Sequence, residues 1–67
     1  MNWLPDGKDS FALIFEGDVV AAVSKIDREG RRGWYWHSFV SGAEGFFDTL
    51  EQSQADAEKA TTSQRRH

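Results

Sequence analysis

Asp48-Thr49-Leu50-Glu51-Gln52-Ser53-Gln54-Ala55-Asp56-Ala57-Glu58-Lys59-Ala60 is the stretch that decides the fold class. From Thr49 to Ala60 there is no Gly, Pro, Val, Ile or aromatic residue, while Ala, Glu and Gln dominate, which is helix composition. Thr49 and Gln52 stand at capping-box spacing. The Thr49 hydroxyl can accept from the Gln52 amide, and the Gln52 side chain can reach back to the Thr49 amide. Glu51 in the first turn suits the helix dipole. Leu50, Ser53, Ala57 and Ala60 recur at helical spacing, so a narrow stripe of small residues is expected to lie close on another layer. The predicted helix runs over about 50–61, and 61–67, with no apolar residue, is expected to fray.

Upstream of this stretch the signals are all β. Ser10 to Phe15 is a short run of strand formers, and Glu16-Gly17-Asp18 supplies turn chemistry, with Gly17 able to take positive φ. Val19 to Ile26 is valine-rich, and Asp27 to Gly33 is polar with two glycines and reads as a second hairpin loop. Trp34 to Val40 is dense in aromatic and β-branched residues, and Gly45 to Asp48 can form a short fourth strand. The expectation is an α+β fold of one small domain over 1–60. It is an antiparallel meander of three to four strands, at about 10–16, 19–26, 34–40 and 45–48, with one C-terminal helix packed on one face.

A two-residue first turn pairs odd residues of the first strand with even residues of the second, and paired residues share a face. This predicts Phe11, Leu13 and Phe15 beside Val20, Ala22, Ser24 and Ile26 under the helix. Ala12, Ile14, Val19, Ala21, Val23 and Lys25 fall on the other side. One helix covers one side of a sheet, yet both sides are apolar here. In the third strand Trp34 and Trp36 alternate with Tyr35, His37 and Phe39, so whichever set points inward leaves aromatic surface outside. Such surface marks an interaction site unless the chain covers it. Trp3, Leu4 and the N-terminal segment folding back is one way to cover it, and a dimer or partner interface is the other.

The chain has 67 residues, no Cys, two His and a formal charge of −3. A domain this small buries only about 60% of its unfolded surface and commonly draws stability from a staple or a partner. Without Cys, disulfides, thiolate catalysis and Cys-ligated zinc are excluded, and His37 with the C-terminal His67 makes a poor metal site. No metal or cofactor is expected. No run approaches the roughly 18 apolar residues of a membrane span. Met1 to Asp6 lacks the basic and apolar regions of a signal peptide, so a cytoplasmic location is expected.

Charge is unevenly placed: −3 over 1–23, +2 over 24–37, −4 over 38–60 and +2 over 61–67. The basic stretch places Lys25, Arg28, Arg31 and Arg32 beside Trp34, Tyr35 and Trp36, the pairing of cations with stacking platforms that nucleic-acid binders use. Glu44, Asp48, Glu51, Asp56 and Glu58 form an acidic set that suits a basic protein surface. Catalysis has little support. His37 and Ser38 are adjacent in a strand and point to opposite faces, and no Gly-rich phosphate loop precedes the helix.

Gly45-Phe46-Phe47-Asp48-Thr49-Leu50-Glu51-Gln52-Ser53-Gln54-Ala55 resembles the strand-to-helix junction of Apetala-type and integrase arm-type DNA-binding domains. That resemblance implies a three-stranded sheet packed on one helix, with Arg and aromatic residues of the sheet reading the major groove. Lys25 is the one cation within the three long strands expected here. The function expected from the residues is a non-enzymatic protein-binding module, an accessory or inhibitory factor of the kind found in bacteria and their phages. It would occlude a partner's surface through an aromatic sheet face (Trp34, Tyr35, Trp36, His37, Phe39) and the acidic set. The alternative is a nucleic-acid-binding domain using the 25–36 hairpin.

Overall fold

A computed structural model describes residues 1–63. Five strands, β1 (Asn2–Pro5), β2 (Ser10–Phe15), β3 (Asp18–Arg28), β4 (Arg31–Ser38) and β5 (Glu44–Phe47), form one antiparallel sheet in the order of the chain. Helix α1 (Leu50–Ser63) crosses one face and packs on β3, β4 and β5. The fold is α+β, as composition indicates, with one strand more than expected. Of the tail predicted to fray, Thr61 to Ser63 belong to α1, and 64–67 lie outside the described residues.

The additional strand is the N-terminal segment. It does not fold back across the sheet. Asn2, Trp3, Leu4 and Pro5 pair with Ile14, Leu13, Ala12 and Phe11 along the edge of β2. Proline is tolerated there because an edge strand need not offer every N–H to a ladder. Strand alternation then sends Trp3 toward the helix, where its Nε1 donates to Glu58 Oε2 at 2.6 Å, and Leu4 to the opposite face.

Faces of β3 differ from the parity expectation for a local reason. The first hairpin does have a two-residue loop: Phe15 pairs with Asp18, and Glu16 and Gly17 take φ of 53° and 84°, as primed hairpin turns need. Ile14 pairs with Val19 in that register, but Leu13 pairs with Ala21, so Val20 is an extra residue in β3. This β-bulge reverses the facing of every later residue of the strand. Ala21 and Val23 therefore lie under the helix, fully buried, and Ala22, Ser24 and Ile26 lie on the other side. The Val20 carbonyl accepts from the Phe39 amide at 2.9 Å, which keeps the bulged backbone bonded.

The core is small. Leu13, Ala21, Val23, Trp36 and Ala57 are its buried centre, with Trp3, Trp34, Phe47, Leu50 and Ala60 packed around it. Leu50, Ser53, Ala57 and Ala60 do face the sheet, with Thr61 buried beside them. Such small side chains bring the helix close enough for direct polar bonds. Ser53 Oγ donates to the Trp34 carbonyl at 2.7 Å, and the buried hydroxyls of Ser38 and Thr61 meet at 3.0 Å. At the other end of the helix the Gln52 amide donates to Thr49 Oγ1 at 3.2 Å. The Gln52 side chain meets the Thr49 hydroxyl, rather than its amide, at 3.3 Å.

Candidate functional site

Trp34 and Trp36 point toward the helix, so Tyr35, His37 and Phe39 are left on the face that no helix covers. Trp34 stacks at a tilt against Phe11, with ring centroids 6.2 Å apart, and Trp36 lies over Gly45. A side chain at Gly45 would come within 2.5 Å of Trp36 Nε1, so the glycine is what admits the indole. The five aromatic positions expected to act together are therefore divided, two inside and three outside.

Successive rows across the open face can be read from the register. Asn2, Ile14 and Val19 form one row. Leu4, Ala12, Ala22, His37 and Glu44 form the next, followed by Ser10, Ser24, Tyr35 and Phe46. Phe39 sits beyond His37, with ring centroids 5.2 Å apart. Leu4, Val19 and Phe39 are 50%, 51% and 57% exposed, a large share for apolar side chains. Phe46 lies over Gly33, where an added side chain would meet Phe46 Cζ at 2.7 Å.

Glu44 is the polar centre of this face. It accepts the Tyr35 hydroxyl hydrogen, and its Oε1 lies 3.9 Å from His37 Nδ1. The bond to Glu44 is the main reason the Tyr35 phenol ionises above its ordinary range, with burial and the carboxylate charge adding to it. His37 and Ser38 are separated as strand alternation requires, for the Ser38 hydroxyl is bonded to Thr61 on the helix side.

Between Lys25 and Trp34 the chain is not a loop. β3 runs on to Arg28 and β4 begins at Arg31, so the turn is only Glu29-Gly30, with Gly30 at φ 82°. Cations thus stand on a two-stranded ribbon. Its alternation divides them: Lys25 and Arg32 on the helix side, Arg28 and Arg31 on the open side. Arg32 Nε bonds Asp27 Oδ1 at 3.2 Å directly across the ribbon. Arg28 and Arg31 also oppose one another, a like-charge pair, and the Arg31 guanidinium sits over the Phe46 ring at 5.0 Å. Strand residues here therefore include three arginines that the sequence reading assigned to a loop.

The acidic set is also dispersed. Glu44 is on the open face, Asp48 precedes the helix, and Glu51, Asp56 and Glu58 are on α1 behind the sheet, with Glu58 bonded to Trp3. Residues that sequence reasoning missed are Leu4 and Phe46, hidden by an unassigned edge strand and an unassigned register between β4 and β5. Among the described residues no group of three or more His, Asp or Glu side chains is placed to hold a metal ion, and no helix is long and apolar enough to cross a membrane. No protein-family model, curated protein or solved structure matches the chain.

Proposed function

We propose that this chain is a non-enzymatic protein-binding module whose working surface is the open face of the sheet. The observation that carries this reading is the exposure of Leu4, Val19 and Phe39 together with Tyr35, His37 and Phe46 on one continuous face. Small proteins seldom leave that much apolar surface uncovered unless something docks on it. In the cytoplasm, such a module would act by occlusion, laying this face over the working surface of another protein. The face is mixed in character: Leu4, Ile14, Val19 and Phe39 supply apolar surface, with the Tyr35–Glu44 bond and the His37 ring as fixed polar points. Polar points of this kind set orientation, while aromatic area supplies most of the affinity.

A nucleic-acid reading retains one specific support, the Arg31 guanidinium stacked on Phe46 with Arg28 opposite. Its weakness is charge. Arg32 is taken by Asp27, and the chain as a whole is at −3, whereas phosphate binding depends on unpaired basic excess.

Photo-crosslinking tests the choice. A benzophenone amino acid is placed at Phe39 on the open face or at Glu51 on the exposed side of α1, and the chain is irradiated in its native cells. Protease-sensitive, nuclease-resistant adducts from position 39 that are absent from position 51 are the expected result. Nuclease-sensitive adducts at 39, or equal labelling from both positions, would overturn the reading.

A further inference from the structure

We infer that the occupant of the open face is a second copy of this chain, packed sheet to sheet about a two-fold axis that runs across the strands. The inference rests on the protein-docking reading above and names its partner. It begins from charge along the face. Arg28 and Arg31 stand at the end formed by the Glu29-Gly30 turn. Glu44 stands toward the other end, where the Glu16-Gly17 turn adds Glu16, and among the described residues no Lys or Arg side chain lies on the face there. A two-fold across the strands lays each end of one copy on the opposite end of the other. Arg31 of each copy then comes over the far end of β4 in the second copy, beside Glu44. A two-fold along the strands would set Arg28 and Arg31 against themselves. Charge thus selects one of the two face-to-face arrangements, and the selected one is isologous and closed.

Stability agrees with it. β3, at 11 residues the longest strand, runs from one charged end of the face to the other. That arrangement lays Ile14, Val19 and Phe39 of each copy toward the Glu29-Gly30 end of the other, and brings Ser24, Ile26 and Tyr35, near the axis, against the same region of the second copy. The single chain needs the gain, because three of its six buried hydrophobic residues are alanines.

Sedimentation equilibrium of the purified full chain is the test. The expected mass is twice the 7.6 kDa of one chain. Arg31→Glu and Glu44→Arg should each raise the dissociation constant roughly tenfold or more, as mutation of an interfacial charge does. The double variant should return it to near the starting value, because the exchanged charges meet again across the axis. Phe39→Asp should leave a single chain of unchanged far-UV circular dichroism, since Phe39 is exposed in the lone molecule. A single-chain mass at concentrations up to about 1 mM would overturn the proposal, that limit corresponding to only about −4 kcal/mol of association. So would a double variant no tighter than either single one. A chain that is monomeric by this measure yet crosslinks from position 39 to a protein of different mass overturns the dimer and leaves the docking reading standing. A monomer with no protein adduct overturns both.

Discussion

Tyr35 is the only tyrosine in the chain, so its titration can be read from tyrosinate absorbance without interference. Its hydroxyl donates to Glu44, and losing that proton would place a phenolate against a carboxylate. The midpoint is therefore expected above the ordinary value of about 10. Glu44→Ala should bring it down toward that value; an unchanged midpoint would mean the bond does not persist in solution. The sign for stability follows. A phenol whose ionisation is raised in the folded state adds stability that is complete below about 10 and is lost as pH climbs through the folded value. Gly45 illustrates a different residue-scale constraint. Gly45→Ala puts a methyl group against the buried Trp36 indole, and overpacking of this kind costs about 1–3 kcal/mol, read by urea denaturation. A cost near zero would show that the indole can move aside. Neither constraint is legible in the sequence. Tyr35 and Glu44 are neighbours, and Trp36 covers Gly45, only through the register of β4 on β5, which depends on the geometry of residues 39–43.

Elements were legible where a short-range rule sets them. Thr49 and Gln52 announce the start of α1, and the chain uses them so: the Gln52 amide donates to the Thr49 hydroxyl. Thr49→Ala should cost about 1 kcal/mol in chemical denaturation with little change in spectrum, the usual loss for an N-cap of this type. An effect below a few tenths would show that the packing of Ser53, Ala57 and Thr61 holds the first turn unaided. Likewise the alternation of Trp34 and Trp36 with Tyr35, His37 and Phe39 follows from strand period alone. What failed did so for physical reasons of longer range. Val20 is an ordinary valine in a run of ordinary strand residues, and nothing local marks it as the bulge that reverses Ala21 to Arg28. β1 is only four residues long and contains a proline, and it is a strand because β2 has a free edge to pair with. The 27–33 stretch looks like a loop by composition, yet Asp27 and Arg32 compensate one another across a ribbon. Deleting Val20 tests the bulge directly. Without it, the two-residue turn would force the odd-to-even register and place Ala22 and Ser24 under the helix in place of Ala21 and Val23. Loss of near-UV circular dichroism and of cooperative melting is expected; a normally folded deletion variant would show that the helix accepts either face.

At the scale of the whole molecule, the imbalance is between a thin core and a broad uncovered sheet. A single helix with a stripe of small residues can approach the sheet closely, but it buries little volume. Leu4, Val19 and Phe39 lie instead exposed on the far face, where they add to stability only if something covers them. Association with a second copy makes melting a mass-action process, so the folded form gains as concentration rises. For a domain of this length, a tenfold rise in protein concentration should lift Tm by roughly 3–6 °C, given the usual entropy of unfolding for small domains. Phe39→Asp removes the association while leaving the core of the lone chain untouched. Its Tm should therefore be lower and independent of concentration. Differential scanning calorimetry over two decades of concentration separates the cases. A wild-type Tm that stays flat while the variant melts at the same temperature would mean that the thin core suffices by itself, and that the uncovered face is held for a different protein.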